Sequence, residues 1–148
     1  MTTTIEGIKA LLKTKIESLK IGGVDIFGEV FDYAEGNFSN YPVAVITPAG
    51  GTGEVIDTHR IERTFNFTVK LYQEQSKAGK TKEEADEIMT KASDAILLAF
   101  DQDEDLSGEI EVVRVVDFVL DFKVGAGTFN FATYNINCVV IVPDYLES

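Results

Sequence analysis

The stretch from Ile61 to Glu74 constrains the fold more than any other part of the chain. Phe65, Phe67, Val69 and Leu71 alternate there with Asn66, Thr68 and Lys70. Side chains along a strand point to opposite faces with period two, so this pattern predicts a strand with one buried and one wet face. A strand of that kind needs neighbours beside it and a second layer over it.

The neighbours are legible in four further runs. Val43 to Thr47 is short, β-branched and bounded by Pro42 and Pro48, which predicts a buried strand starting at Pro42. Val24, Ile26, Val30 and Phe31 predict strand between Val24 and Tyr33, interrupted near Gly28. Two long strands, Ile110–Lys123 and Thr128–Val142, are joined at Gly125-Ala126-Gly127 as a C-terminal β-hairpin. In the first, Ile110, Val112, Val116, Phe118, Leu120 and Phe122 are expected on one face, with Val113, Val115 and Val119 opposite. In the second, Ala132, Tyr134, Ile136, Cys138, Val140 and Val142 share a face, with Phe129, Phe131, Val139 and Ile141 on the other. Strands apolar on both faces are covered twice within a domain or by a neighbouring subunit.

Two helices supply the cover. Ile5, Ile8, Leu11, Leu12, Ile16 and Leu19 recur at helical spacing, and Gly22-Gly23 is expected to end that helix. Thr81 with Glu84 forms a capping box that opens a second helix, with Ile88, Met89, Ala92, Ala95, Ile96, Ala99 and Phe100 as its buried stripe and its end near Asp101. Together these elements make an α+β fold: a mixed, mostly antiparallel sheet of about five strands packed by two helices. No repeat or linker divides residues 1–148, so one domain is expected. With two helices for about five strands, part of the second sheet face is expected to meet another subunit.

Charge narrows the partners. The chain carries a formal net charge of −12, and residues 83–111 hold eleven acids against one base, Lys91. Such a surface repels phosphate, which argues against tight nucleic-acid binding. No apolar run reaches the length of a membrane span, and Met1-Thr2-Thr3-Thr4 leads into a lysine-bearing amphipathic stretch with no apparent secretory or lipidation signal. A single cysteine has no partner for an intramolecular disulfide.

The residues that could carry chemistry each lack something. His59 follows Asp57 in Asp57-Thr58-His59-Arg60, but this matches no nucleophile–base–orienter spacing, and a solvated loop or strand-edge residue is expected. Cys138 sits among Ile136, Val140 and Val142, where a buried thiol is inert. Gly50-Gly51-Thr52-Gly53 lacks the lysine and the following helix of a phosphate loop, and is expected to be a flexible connection that orders on assembly. Asp101-Gln102-Asp103-Glu104-Asp105 has carboxylates at the first, third and fifth places of a calcium loop. It then fails, with Leu106 in place of glycine and Val112 in place of glutamate. That cluster is expected at a helix C-terminus, where the dipole disfavours negative charge and nothing adjacent in sequence compensates. No catalytic residue, cofactor or metal site is therefore expected. A small ligand-binding α+β domain would have to use Tyr33, Tyr41, His59 or Arg60.

The order of these features resembles the tail terminator (tail completion) proteins of long-tailed bacteriophages. The resemblance lies in a short basic helix, Phe31-Asp32-Tyr33 before an Asn/Gly loop, Tyr41-Pro42-Val43-Ala44-Val45-Ile46-Thr47-Pro48, and Arg63-Thr64-Phe65-Asn66-Phe67. Lys82-Glu83-Glu84-Ala85, Ala99-Phe100-Asp101 and the two long final strands continue it over nearly the whole chain. It implies a structural virion protein, assembled in the bacterial cytoplasm, that forms a homomeric and usually hexameric ring at the head-proximal end of the tail. Such a ring stops polymerisation of the tail tube protein and presents a surface for head–tail connector proteins, while DNA passes through without specific binding. On that reading Asp101, Asp103, Glu104 and Asp105 face the lumen or a basic partner. Another connector or minor capsid component is the alternative in the same setting.

Overall fold

The computed structural model describes residues 2–75, 82–122 and 127–143. Helix α1 spans Ile5–Glu17 and opens on Thr4, whose hydroxyl accepts the Gly7 N–H at 3.1 Å. One face repeats Ile8, Leu12 and Ile16, all fully buried. Each such side chain contributes about 1.5–3 kcal/mol by leaving water. The helix ends at Ser18, not at the two glycines expected to end it: the Ser18 N–H bonds back to Thr14 and its hydroxyl donates to the Lys15 carbonyl. Gly22 and Gly23 instead form the turn between strands β1 (Lys20–Ile21) and β2 (Val24–Asp25), with φ of 59° and 81°. Positive φ at both central residues gives the twist that a two-residue hairpin requires.

The main sheet has β3 (Glu29–Phe31), β4 (Val43–Val55), β5 (Arg60–Gln75), β6 (Val112–Leu120) and β7 (Gly127–Pro143), in the order β3-β4-β5-β7-β6. Only the β3–β4 pair is parallel. This is the expected mixed, mostly antiparallel sheet, with β6 and β7 paired as the C-terminal hairpin. The turn predicted around Gly125-Ala126 and the Thr81 cap lie outside the described residues. Helix α2 runs from Lys82 to Gln102 and buries Met89, Ala92, Ile96, Ala99 and Phe100.

Register places one set of side chains under both helices. Ala44 and Ile46 lie beside Leu71 and Val69, which pair in turn with Ala132 and Tyr134; Phe67 pairs with Ile136 and Phe65 with Cys138. Apart from Phe65, which packs against it half-buried, these residues form one core cluster with Ile8, Leu12 and Ile16 of α1 and Met89, Ala92, Ile96 and Phe100 of α2. Tyr134 ties the layers together, its hydroxyl donating to the Ser93 carbonyl of α2 at 2.9 Å. The other face carries Thr64, Asn66, Thr68 and Lys70 from β5 and Thr133, Asn135 and Asn137 from β7. The wet second face predicted for β5 is present; on β7 the expected Val139 and Ile141 lie on this side too, but among Thr133, Asn135 and Asn137, so the face as a whole is largely polar. One end of it is covered. There the 32–42 segment packs Phe38 against Phe31, Tyr41 and Tyr72, at 5.0 Å between ring centroids for Tyr72. Glu29 Oε1 holds that segment in place by accepting the Ser39 and Asn40 N–H groups, both at 2.7 Å.

Two bulges change the expected faces. Between Val115 and Asp117 the β6 register shifts, so Val113 and Val115 pair with Cys138 and Ile136 on the core side, and beyond the shift Phe118 and Leu120 pair with Tyr134 and Ala132. Val113 and Phe118 therefore share a face, although unbroken alternation put them on opposite ones. Between Leu71 and Tyr72 the β7 partner skips Phe131, which leaves Phe131 fully buried and sets Phe129 opposite buried Gln73. Phe129 and Phe131 belong to the core side for that reason.

Candidate functional site

Helix α2 delivers the acidic cluster to the surface, and the turn after it is tightly folded. Leu106 is buried and anchors the turn, and Leu106, Ser107 and Gly108 all have positive φ, at 48°, 60° and 82°. Asp103 lies at its centre. Its carboxylate accepts the Ser107 N–H at 2.8 Å and pairs with Lys15 Nζ of α1 at 3.1 Å. The Ser107 hydrogen bond, then Lys15, hold the Asp103 carboxyl below its ordinary value against some desolvation. Lys15 is the compensation for negative charge at a helix C-terminus that the sequence did not reveal. Thr2 fastens the same turn, donating its N–H to the Glu109 carbonyl at 2.9 Å and its hydroxyl to the Glu109 carboxylate at 3.2 Å. Of the four predicted residues, Asp103 is drawn into this clamp, whereas Asp101, Glu104 and Asp105 are exposed. Among the described residues no three carboxylate, histidine or cysteine side chains converge as a metal site requires.

The glycine-rich segment is strand. After a bulge between Pro48 and Gly51, β4 continues through Gly51-Thr52-Gly53-Glu54-Val55, paired with Phe65 through Ile61 of β5. Gly51 permits this because a Cβ there would collide with the Thr64 carbonyl oxygen. The expected flexible connection is thus an exposed β-arm with its own ladder. At its tip the Asp57 carboxylate accepts the N–H groups of His59 at 2.8 Å and Arg60 at 2.9 Å and also binds the Arg60 guanidinium. These contacts lower the Asp57 pKa, the His59 N–H first. Asp57 shapes a turn here, and His59 is exposed on it. Tyr41 stands before the start of β4 and His59 beyond its end, so a 13-residue strand separates them. That is roughly 40 Å at the usual rise per residue. A ligand site joining Tyr33, Tyr41, His59 and Arg60 is not assembled by this fold.

Cys138 is fully buried, and burial pushes its thiol up to about 12. Nucleophilic chemistry needs the thiolate, which this environment suppresses.

The feature that residue-by-residue reading missed is an edge. β6 lies at one border of the sheet, and Val116, Phe118, Val119 and Leu120 are between 45% and 64% exposed. Phe118 stacks on Tyr134 at 5.7 Å with its outer side bare. At the start of β6 the Val113 N–H is taken by the Glu104 carbonyl at 2.6 Å; from Arg114 to Leu120 no strand among the described residues covers the outer edge. The apolar pattern on both faces was the available signal, but only topology shows that these residues stand at a border. A shallow groove of about 530 Å3 also lies between β1 and α2, lined by Lys20, Ile21, Lys91, Leu97, Leu98 and Asp101.

The fold and these surfaces define an α+β chain with a helix-covered sheet, an exposed β-arm and an apolar open edge. Compared with known proteins, the chain matches no family model and no curated protein. No helix among the described residues is long and apolar enough to cross a membrane.

Proposed function

We propose that this chain is a structural subunit that assembles with copies of itself into a ring at the head-proximal end of a phage tail. There it halts growth of the tail tube and carries the surface to which the head connector joins. The observation that carries the reading is the border strand β6, whose Val116, Phe118, Val119 and Leu120 lie bare beside a backbone edge that no strand among the described residues pairs from Arg114 to Leu120. An exposed strand edge of that kind attracts another strand, and soluble monomers normally blunt theirs with charge, proline or cover. The sequence resemblance to tail terminator proteins says which assembly to test first. The exposed carboxylates Asp101, Glu104 and Asp105 are the surface offered to a basic partner, with Asp103 holding the turn that presents them.

The test uses purified tail tubes of the phage concerned. Adding the protein should leave tubes of fixed length, capped at one end in negative-stain images. Tubes that keep growing in its presence, at concentrations where the protein is folded, would end the tail-terminus reading. Charge reversal of Asp101, Glu104 and Asp105 should leave self-assembly intact and impair joining to heads; unimpaired joining would remove the partner role of the acidic turn.

A further inference from the structure

We infer that copies of this chain join head to tail by strand addition, the outer edge of β6 in one copy pairing with the arm portion of β4 in the next. This rests on the reading of the chain as a ring-forming subunit and names the contact that closes the ring. Among the described residues the sheet has two open borders. On one side β6 is uncovered from Arg114 to Leu120; on the other, β3 pairs with β4 only from Val43 to Val45, which leaves the outer edge of Thr47–Val55 without a strand among the described residues. The two open stretches are of similar length.

Three properties make these borders fit each other. The first is direction. β4 is antiparallel to β5, β5 to β7 and β7 to β6, so β4 and β6 run in opposite senses. A rotation that carries one copy to the next about an axis inclined by well under a right angle to the strands preserves sense, so β6 meets the neighbour's β4 antiparallel and the alternation continues across the joint.

The second is size. Ala49-Gly50-Gly51-Thr52-Gly53 offers almost no side-chain bulk, whereas β6 presents Val116, Phe118 and Val119. Large apolar side chains on one border can lie over the bare backbone of the other.

The third is charge. Arg114 pairs with Asn137 and Glu54 with Glu62, positions on the helix-free face of the sheet. The register that sets Arg114 across from the neighbour's Glu54 puts opposite charges on one face and lays Ala49–Gly53 along Val115–Val119. Arg114 is level with Asn137 of β7 and Glu54, through Glu62, with Ile141, so each joint is staggered along the strands, and the ring closes with its strands tilted to the axis. Cross-strand pairs are the unit that fixes such a register. In a ring built this way every helix lies on one wall and the polar sheet face on the other.

The test is cross-linking with paired single-cysteine positions, because Cys138 is buried and does not compete. Arg114→Cys and Glu54→Cys chains are oxidised separately and as an equal mixture, at concentrations where light scattering shows oligomers. Disulfide-linked pairs should form in the mixture and not in either chain alone, since bridging requires Cα atoms within about 7 Å. Arg114→Glu should raise the concentration for half-assembly about fivefold, and combining it with Glu54→Arg should restore it. Both positions are exposed, so folding, read by circular dichroism, should be unaffected. A closed two-chain particle, a protein monomeric at millimolar concentration, or equal cross-linking in all three samples would overturn the pairing. Rings that cross-link as expected but fail to cap tubes would leave the pairing standing and retire the tail-terminus role. Tubes capped normally by Arg114→Glu without cross-linking in the paired chains would do the reverse.

Discussion

Asp103 and Lys15 are separated by most of the chain, yet their contact decides whether the acidic turn holds its shape. Asp103 receives the Ser107 N–H and the Lys15 ammonium, and both favour its ionised form. The sign of the pH effect follows. A carboxyl whose folded pKa lies below its unfolded value of 3.8 stabilises the fold above that value, and the stabilisation is lost as pH falls through the folded pKa. Asp103→Asn should therefore flatten the loss of stability in acid. Urea midpoints taken from about pH 5 down to about pH 2 should fall less steeply in the variant than in the parent chain. Identical slopes would mean that the contact is not populated in solution. Lys15 is half-buried on a helix whose lysines otherwise read as a solvated face, so nothing in its sequence context distinguishes it from Lys9 or Lys13.

The arm shows how one residue sets an element. Gly51 lies where the β4 ladder resumes after its bulge, with the Thr64 carbonyl in the space a Cβ would occupy. Gly51→Ala should loosen the arm and leave the core alone. Amide hydrogen exchange should accelerate across Thr52–Val55 and Ile61–Thr64, while protection in Phe67–Leu71 stays unchanged. Exchange that rises equally in both regions would show the arm and core to be one cooperative unit. Elements of this chain were legible wherever their own side chains announced them: the alternation from Phe65 to Leu71, the α1 and α2 stripes, and the short run at Val43. What escaped was set by backbone geometry. The glycines at 50–53 looked like a loop because they have no side chains to alternate, although they pair as strand. Gly22 and Gly23 looked like a helix stop because their left-handed backbone serves a hairpin turn equally well. Phe118, Phe129 and Phe131 changed faces because each bulge adds one residue to one strand, and period-two counting carries the error to the strand's end. The acidic cluster could be located from sequence, but its division into an internal Asp103 and the exposed Asp101, Glu104 and Asp105 could not.

At the scale of the whole molecule, two forces of different range meet. The chain carries −12 overall, and most of that excess lies between residues 83 and 111. Copies approaching edge to edge repel one another over a distance set by salt, about 10 Å at 0.1 M and about 3 Å at 1 M. The contact proposed for the β6 border rests on apolar surface and backbone hydrogen bonding, which act at contact and are not screened in this way. Self-assembly should thus strengthen as salt rises, with the concentration for half-assembly falling between about 0.05 and 0.5 M sodium chloride. Docking of the proposed basic partner on Asp101, Glu104 and Asp105 should respond with the opposite sign, since there the charges attract. Sedimentation of the chain alone, and of the chain with its partner, over one salt series would read both slopes. Self-assembly that weakens with salt would place the copy-to-copy contact on charged surface and not on the β6 edge. The single Arg114–Glu54 pair of the proposed joint cannot reverse the expected slope, because an exposed ion pair contributes about 0.2–1 kcal/mol while the repulsion sums over every acid on both chains.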